Sequence, residues 1–285
     1  MYKRQFQGGL ADPYIPDPVV AAGQNSDVWI DLCMPYISGS TLYDKAMKNN
    51  RTRYFLGADI GAGGILRIFG KADLDKVLAV SDALNELLAN SSGKKCRLAT
   101  PSGTEVTFEL AHPEGLSFER ATKPGGYFVP GAVAVIPELE SVTGTIVCHT
   151  AFHEYYTPLE QPYHIEVDGK IQSISWGGSE LNAMDRALRR AGNGDYGYIV
   201  HFSYGYHPAA RFTGKSFIED QRVIGGNAVG FGLPPWVEGG GENHPDCVMH
   251  EQSLWIGDEQ IIDHGTLIAH RNLSGIADAL KPTYN

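Results

Sequence analysis

The sequence predicts an α+β protein, with a small N-terminal α/β lobe followed by a larger mixed-sheet α+β domain. Three observations carry this expectation. Long amphipathic helical periodicity is confined to Asp73–Ala89 and Glu180–Ala191, short strand-like runs crowd the second half, and nine of the ten histidines fall at or after His149. Histidine is the commonest metal ligand and general acid or base, so its skew places the chemistry in the strand-rich part.

In chain order, Ser26–Leu32 (SDVWIDL) reads as a buried strand and Thr41–Asn49 as a short helix. In Asp73–Ala89, Leu74, Val77, Leu78, Leu84, Leu87 and Leu88 recur at helical spacing, and Ser91-Ser92-Gly93 closes the end. Lys95–Ala99 and Glu105–Leu110 read as strands around the turn Pro101-Ser102-Gly103. Composition shifts towards Pro and Gly between Pro113 and Pro137, which sets the expected boundary: an N-terminal lobe over 1–122 and a metal-binding domain over 123–285. Downstream, Gly144–Thr150, Tyr163–Val167 and Lys170–Ser175 read as strands, with Asp168-Gly169 as a hairpin turn. Glu180–Ala191 carries Leu181, Met184 and Leu188 on one face, with Arg186, Arg189 and Arg190 on a solvated one. Tyr198–Tyr204, Asn227–Gly232, Ser253–Ile256 and Gln260–Ile262 complete the strands.

Composition narrows the function classes. Hydrophobic residues at 42% and charged residues at 20% are those of a soluble globular protein. A formal net charge of −10 opposes nucleic acid or an anionic membrane as the main partner, since both attract basic surfaces, and favours a small molecule. Met1–Gln7 has no apolar signal core, and no apolar run approaches the roughly 18 residues of a spanning helix, so a cytoplasmic protein is expected. Cys33, Cys96, Cys148 and Cys247 form no CxxC or zinc-ribbon spacing and read as reduced, mostly buried thiols.

The glycine-rich stretch Gly239-Gly240-Gly241-Glu242-Asn243 runs into His244-Pro245-Asp246. In extended backbone, residues i and i+2 project on one side, so His244 and Asp246 can reach one ion. His201 follows the apolar run Tyr196–Val200. Alternation puts Ile199, His201 and Ser203 on one strand face and Val200, Phe202 and Tyr204 on the other. Two imidazoles and one carboxylate are the donor set of the non-haem Fe(II) triad, which leaves coordination positions open for substrate and O2; ligand type alone also admits zinc. His149 and His153 resemble HExxH only superficially, since the glutamate follows the second histidine and the segment reads as a strand end. They are candidates for acid/base catalysis. His207, in Tyr206-His207-Pro208, is expected in a loop near the pocket.

From Asp27 to Leu267 these residues resemble the M29 aminopeptidase-like superfamily. The resemblance runs through DVWIDL, RYF, Pro124-Gly125-Gly126, the strand at Gly144, the hairpin, the helix after Gly177-Gly178, GYHPAARFTG, EDQRVIGGNAVGFG and His244-Pro245-Asp246. Peptidases of this group resemble two-metal enzymes, but the chain departs from their ligand pattern. The first glutamate is replaced within Gly126-Tyr127-Phe128, the strand glutamate becomes His201, and a histidine position falls at Ala228. His201-Phe202-Ser203-Tyr204-Gly205 is instead similar to the strand-histidine context of the 2,5-dihydroxypyridine 5,6-dioxygenase branch, and the chain looks shorter at its N-terminus than either branch.

That resemblance implies a mononuclear Fe(II) ring-opening dioxygenase of extradiol type, with His201, His244 and Asp246 as ligands and a hydroxylated pyridine or related aromatic, together with O2, as substrates. It implies His149 or His153 as acid/base, Tyr127 and Tyr204 as pocket walls or oxyanion donors, and Phe202, Phe231 and Trp236 packed against the ring. A homo-oligomer is also expected. The rival classes are an M29-like metal-dependent aminopeptidase or hydrolase and a degenerate binding protein.

Overall fold

The structure is a computed structural model. It describes residues 15–33, 37–38, 40–112, 120–153, 155–234 and 244–268. The described strands form two sheets. Val28–Asp31, Arg53–Leu56 and Gly125–Phe128 make a parallel three-stranded sheet. A twelve-stranded sheet runs in the order Thr266–Leu267, Glu259–Asp263, Ser253–Ile256, Lys95–Ala99, Glu105–Glu109, Thr143–Phe152, Asp246–Met249, Asn227–Gly232, Tyr198–Gly205, Ala132–Val135. Tyr156–Asp168 and Lys170–Trp176 extend it from the Thr143–Phe152 strand.

Sheet membership does not follow the expected boundary at residue 122. Lys95–Ala99 and Glu105–Glu109 join the large sheet from before it, and Gly125–Phe128 joins the small sheet from after it. The parallel strands Arg53–Leu56 and Gly125–Phe128 were not read from sequence, because four residues give no measurable period and the second begins with two glycines. Gly126 leaves room for a neighbouring ring. A Cβ would meet the Tyr43 hydroxyl, which sits over the sheet.

The helices form where periodicity and caps agree. Asp73 caps Leu74–Ala89 by accepting from the Asp75 and Lys76 amides, and Val77, Val80, Leu84 and Leu88 are the buried stripe. Leu181–Ala191 buries Met184, Ala187, Leu188 and Ala191, while Arg186, Arg189 and Arg190 stay in solvent. Ala62–Gly70 was missed, since three of its nine residues are glycine.

Two hydrophobic clusters form around the large sheet. One gathers Phe108, Phe202, Tyr204, Val229, Phe231, Cys247 and Met249 beneath Leu74–Ala89 and Leu181–Ala191. The other joins Phe152, Ala228 and Val248 of the large sheet to Tyr54, Leu56, Ile60 and Ile68, with Phe217 and Ile218 between. Ala228 and Val248 alternate along their strands with Val229 and Cys247, so the clusters cover opposite faces.

Polar ties hold the second cover in place. Glu219 takes a bidentate bond from Arg67 at 2.5 and 2.6 Å, and Asp59 accepts from the Phe217 and Ile218 amides. The buried Arg222 donates to the Val129, Pro130 and Ile218 carbonyls. The GYHPAARFTG and EDQRV segments therefore fasten the covering elements to the sheet.

Candidate metal centre

His201, Gly230, Asp246 and Phe152 are successive partners in one row across four antiparallel strands. Directly paired residues project to the same side, so the row presents an imidazole and a carboxylate with a gap between them. Gly230 makes the gap. A Cβ at this position would lie 2.3 Å from His201 Nε2 and 2.4 Å from His244 Nε2. His244 enters from the loop before the aspartate strand, where the Phe231 amide donates to the Pro245 carbonyl at 2.9 Å and pins the turn between His244 and Asp246.

The two Nε2 atoms are 2.9 Å apart, and Asp246 Oδ1 lies 3.3 Å from His201 Nε2 and 3.7 Å from His244 Nε2. Among the described residues this is the one group of three or more ligand-type side chains whose atoms lie within 4.8 Å of one another. Asp246 is buried, and its Oδ1 has no hydrogen-bond partner. A buried carboxylate oxygen without a partner is costly. A divalent cation between it and two imidazole nitrogens would remove that cost, so the residues fit a metal. Burial pushes His244 below the usual histidine range, with Asp246 opposing and His201 reinforcing the shift. Neutral imidazole is the ligating form.

A bulge aims His201. Ile199 pairs with Phe231 and His201 with Gly230, leaving Val200 as an extra residue. Strict alternation therefore fails at one point: Ile199 lies in the aromatic core, on the face opposite His201.

Several expected pocket residues lie elsewhere. Phe202 is fully buried and stacks on Phe108 at 5.0 Å. Tyr204 donates its hydroxyl to the Gly265 carbonyl, and Phe231, next to Gly230, packs in the same core. All three are corrections with one cause: each neighbours a site-face residue along its strand and so points to the far side. Tyr127, in the small sheet, donates its hydroxyl to the Lys123 carbonyl. Trp236 and the glycine run Gly239–Gly241 lie outside the described residues.

His207 is a structural histidine. Nδ1 accepts from the Ala209 amide and Nε2 donates to the Ile68 carbonyl, and burial lowers its pKa to about 4. His149 is half-buried at the irregularity between Cys148 and Thr150, and burial together with His164 lowers its pKa. His153 is fully buried just beyond Phe152, with Nε2 3.2 Å from Glu180 Oε2. Gly230 and Glu180 went unnoticed in the sequence. A glycine at the centre of a strand pattern was a usable signal for the first, while Glu180 offered none.

Ala228 is buried in the apolar cluster with Phe152, Phe217 and Val248. The curled mixed sheet is of the type shared by dihydroxypyridine dioxygenases and M29 aminopeptidases. Among solved structures, 2,5-dihydroxypyridine dioxygenase from Pseudomonas putida KT2440 is similar with a TM-score of 0.68 and 19% identity, covering 90% of this chain and 75% of that one. AmpT from Thermus thermophilus is similar with a TM-score of 0.57 and 11% identity, covering 80% and 69%. The α+β class expected from sequence is therefore the one observed.

The sequence matches the 2,5-dihydroxypyridine 5,6-dioxygenase (NicX) family over residues 16–269, and the chain belongs to that family. No curated protein matches it.

Proposed function

We propose that this chain is a mononuclear non-haem Fe(II) dioxygenase that opens the ring of a hydroxylated pyridine or related aromatic in extradiol fashion. The single observation that carries the proposal is Asp246 Oδ1, buried and unpaired, facing two imidazole nitrogens across the space left by Gly230. His201, His244 and Asp246 would hold the ion. Bound there, Fe(II) supplies Lewis acidity towards a substrate hydroxyl and open positions for substrate and O2.

The chain's own residues do the rest. Ring opening needs a group that takes the hydroxyl proton and later returns one, and we assign that role to His149 or His153. Substrate and O2 are the small-molecule partners. No described helix is long and apolar enough to cross a membrane.

The test is oxygen uptake by anaerobically Fe(II)-loaded protein given dihydroxypyridines, followed with the loss of pyridine ultraviolet absorbance. About one iron per chain and stoichiometric O2 consumption are expected. Cleavage of amino-acyl amides without O2 consumption would overturn the proposal.

A further inference from the structure

We infer that Ser203, Asn227 and Thr150 are positioning residues of the metal centre. Their side chains replace ladder bonds on both flanks of the strand pair that carries Gly230 and Asp246, and so set how far His201 stands from Asp246. The inference rests on the proposed metal role of His201, His244 and Asp246 and adds residues outside that ligand set.

The sheet is continuous at the metal row and interrupted one row behind it. Tyr198–Gly205 pairs with Asn227–Gly232 from Tyr198 onwards, and the register ends at His201 with Gly230. Asp246–Met249 meets Thr143–Phe152 at a single pair, Asp246 with Phe152. Between these seams the two central strands stay paired over four residues, from Asn227 with Met249 to Gly230 with Asp246. They form a ribbon whose outer edges lose direct pairing just behind the site.

Side chains fill both gaps. The Ser203 amide donates to Asn227 Oδ1 at 3.0 Å, and the Ala228 amide donates to Ser203 Oγ at 2.7 Å. Across the other seam the Val248 amide donates to Thr150 Oγ1 at 2.8 Å. Ser203, Ala228, Val248 and Thr150 each lie two residues along from a member of the metal row, so they share its face and stand directly behind it. Backbone bonding resumes at the far end of the first gap, where the Gly205 amide donates to the Gly226 carbonyl at 2.8 Å. A side chain inserted between two strands holds them further apart than a direct amide–carbonyl bond does, so each bridge acts as a wedge.

Gln252 fixes the first wedge. An amide donor needs an acceptor, so Asn227 must turn Oδ1 to Ser203 and Nδ2 away from it. Nδ2 donates to Gln252 Oε1 at 2.9 Å, and Gln252 Nε2 donates to the Ser203 and Gly226 carbonyls at 3.0 and 2.9 Å. All four polar side chains, Thr150 included, are buried. A buried network with its bonds satisfied has one arrangement of low energy, which makes the strand spacing fixed rather than adjustable.

Thr150→Val and Ser203→Ala remove the acceptors with little change in size, while Thr150→Ser keeps its acceptor. Metal-free protein is titrated with Co(II) alone and followed by calorimetry and visible absorption. Each of the first two variants should raise the Co(II) Kd about tenfold and shift the ligand-field bands, because the imidazoles and the carboxylate no longer converge as in wild type; Thr150→Ser should stay within about twofold. Val80→Ala, in the core on the opposite face, should lower the urea midpoint with Kd and bands unchanged. A Kd within about twofold of wild type and unshifted bands in Thr150→Val and Ser203→Ala would overturn the inference, whatever their urea midpoints. Wild type that takes up no Co(II) would overturn the metal centre and this inference with it. If Ser203→Ala fails to fold, Thr150→Val decides from the other seam.

Discussion

The two faces of the central strands follow opposite rules. On one face Phe108, Phe202, Tyr204 and Phe231 fill the space with rings; on the other, His201, Gly230 and Asp246 leave it open, with Ala228 and Val248 beside them. Neighbours in sequence are therefore strangers in space: Phe202 touches nothing that His201 serves. Bulk stabilises the first face, and the absence of bulk makes the second usable.

The contrast can be broken from either side. Asp246→Ala should abolish stoichiometric metal in elemental analysis and lower O2 consumption at least about a thousandfold, because a Lewis-acid site contributes several kcal/mol to the transition state. Phe202→Ala should cost about 3–5 kcal/mol in urea unfolding while leaving metal affinity per folded molecule unchanged. A loss of metal in that variant would merge the two faces into one unit.

Acid tests the cover over the open face. His207 ties that cover through Ile68, and its folded pKa of about 4 lies below the ordinary value of 6.5. The unfolded chain binds the proton first. Stability from this group is therefore fully present above about pH 6.5 and is lost as pH falls towards 4, by about 3 kcal/mol at most. Urea midpoints at pH 7 and 4.5 should show the loss, and His207→Gln should flatten it. Last, Gly230→Ala should weaken metal binding about a hundredfold in calorimetry, since the added methyl meets both Nε2 atoms and the rings must turn away.

How much of this was legible beforehand depended on the kind of signal. Leu74–Ala89 and Leu181–Ala191 were readable within a residue because each buries a full periodic stripe. The grouping of His201, His244 and Asp246 in space was foreseeable because His244 and Asp246 are two residues apart and His201 stands in an apolar strand. The pocket walls were not. Alternation places Phe202 and Tyr204 opposite His201, and their aromatic rings serve the core on that side. The parallel strands and the Glu180–His153 pair were invisible for another reason. Each joins residues far apart in the chain, and only the closed fold brings them together.

Val200 carries a consequence for how the chain length can vary. It is the one unpaired residue between Ile199 and His201, while their partners Phe231 and Gly230 are consecutive. Removing it would make the strand regular, with Ile199 inward, His201 outward and Phe202 inward as they are now. A single-codon deletion here is expected to be in register, whereas deleting His201 would remove the imidazole and deleting Phe202 would send Ser203 and Tyr204 to the opposite faces. Length differences among related sequences should therefore gather at this position, and an alignment gap at Val200 is compatible with an intact site.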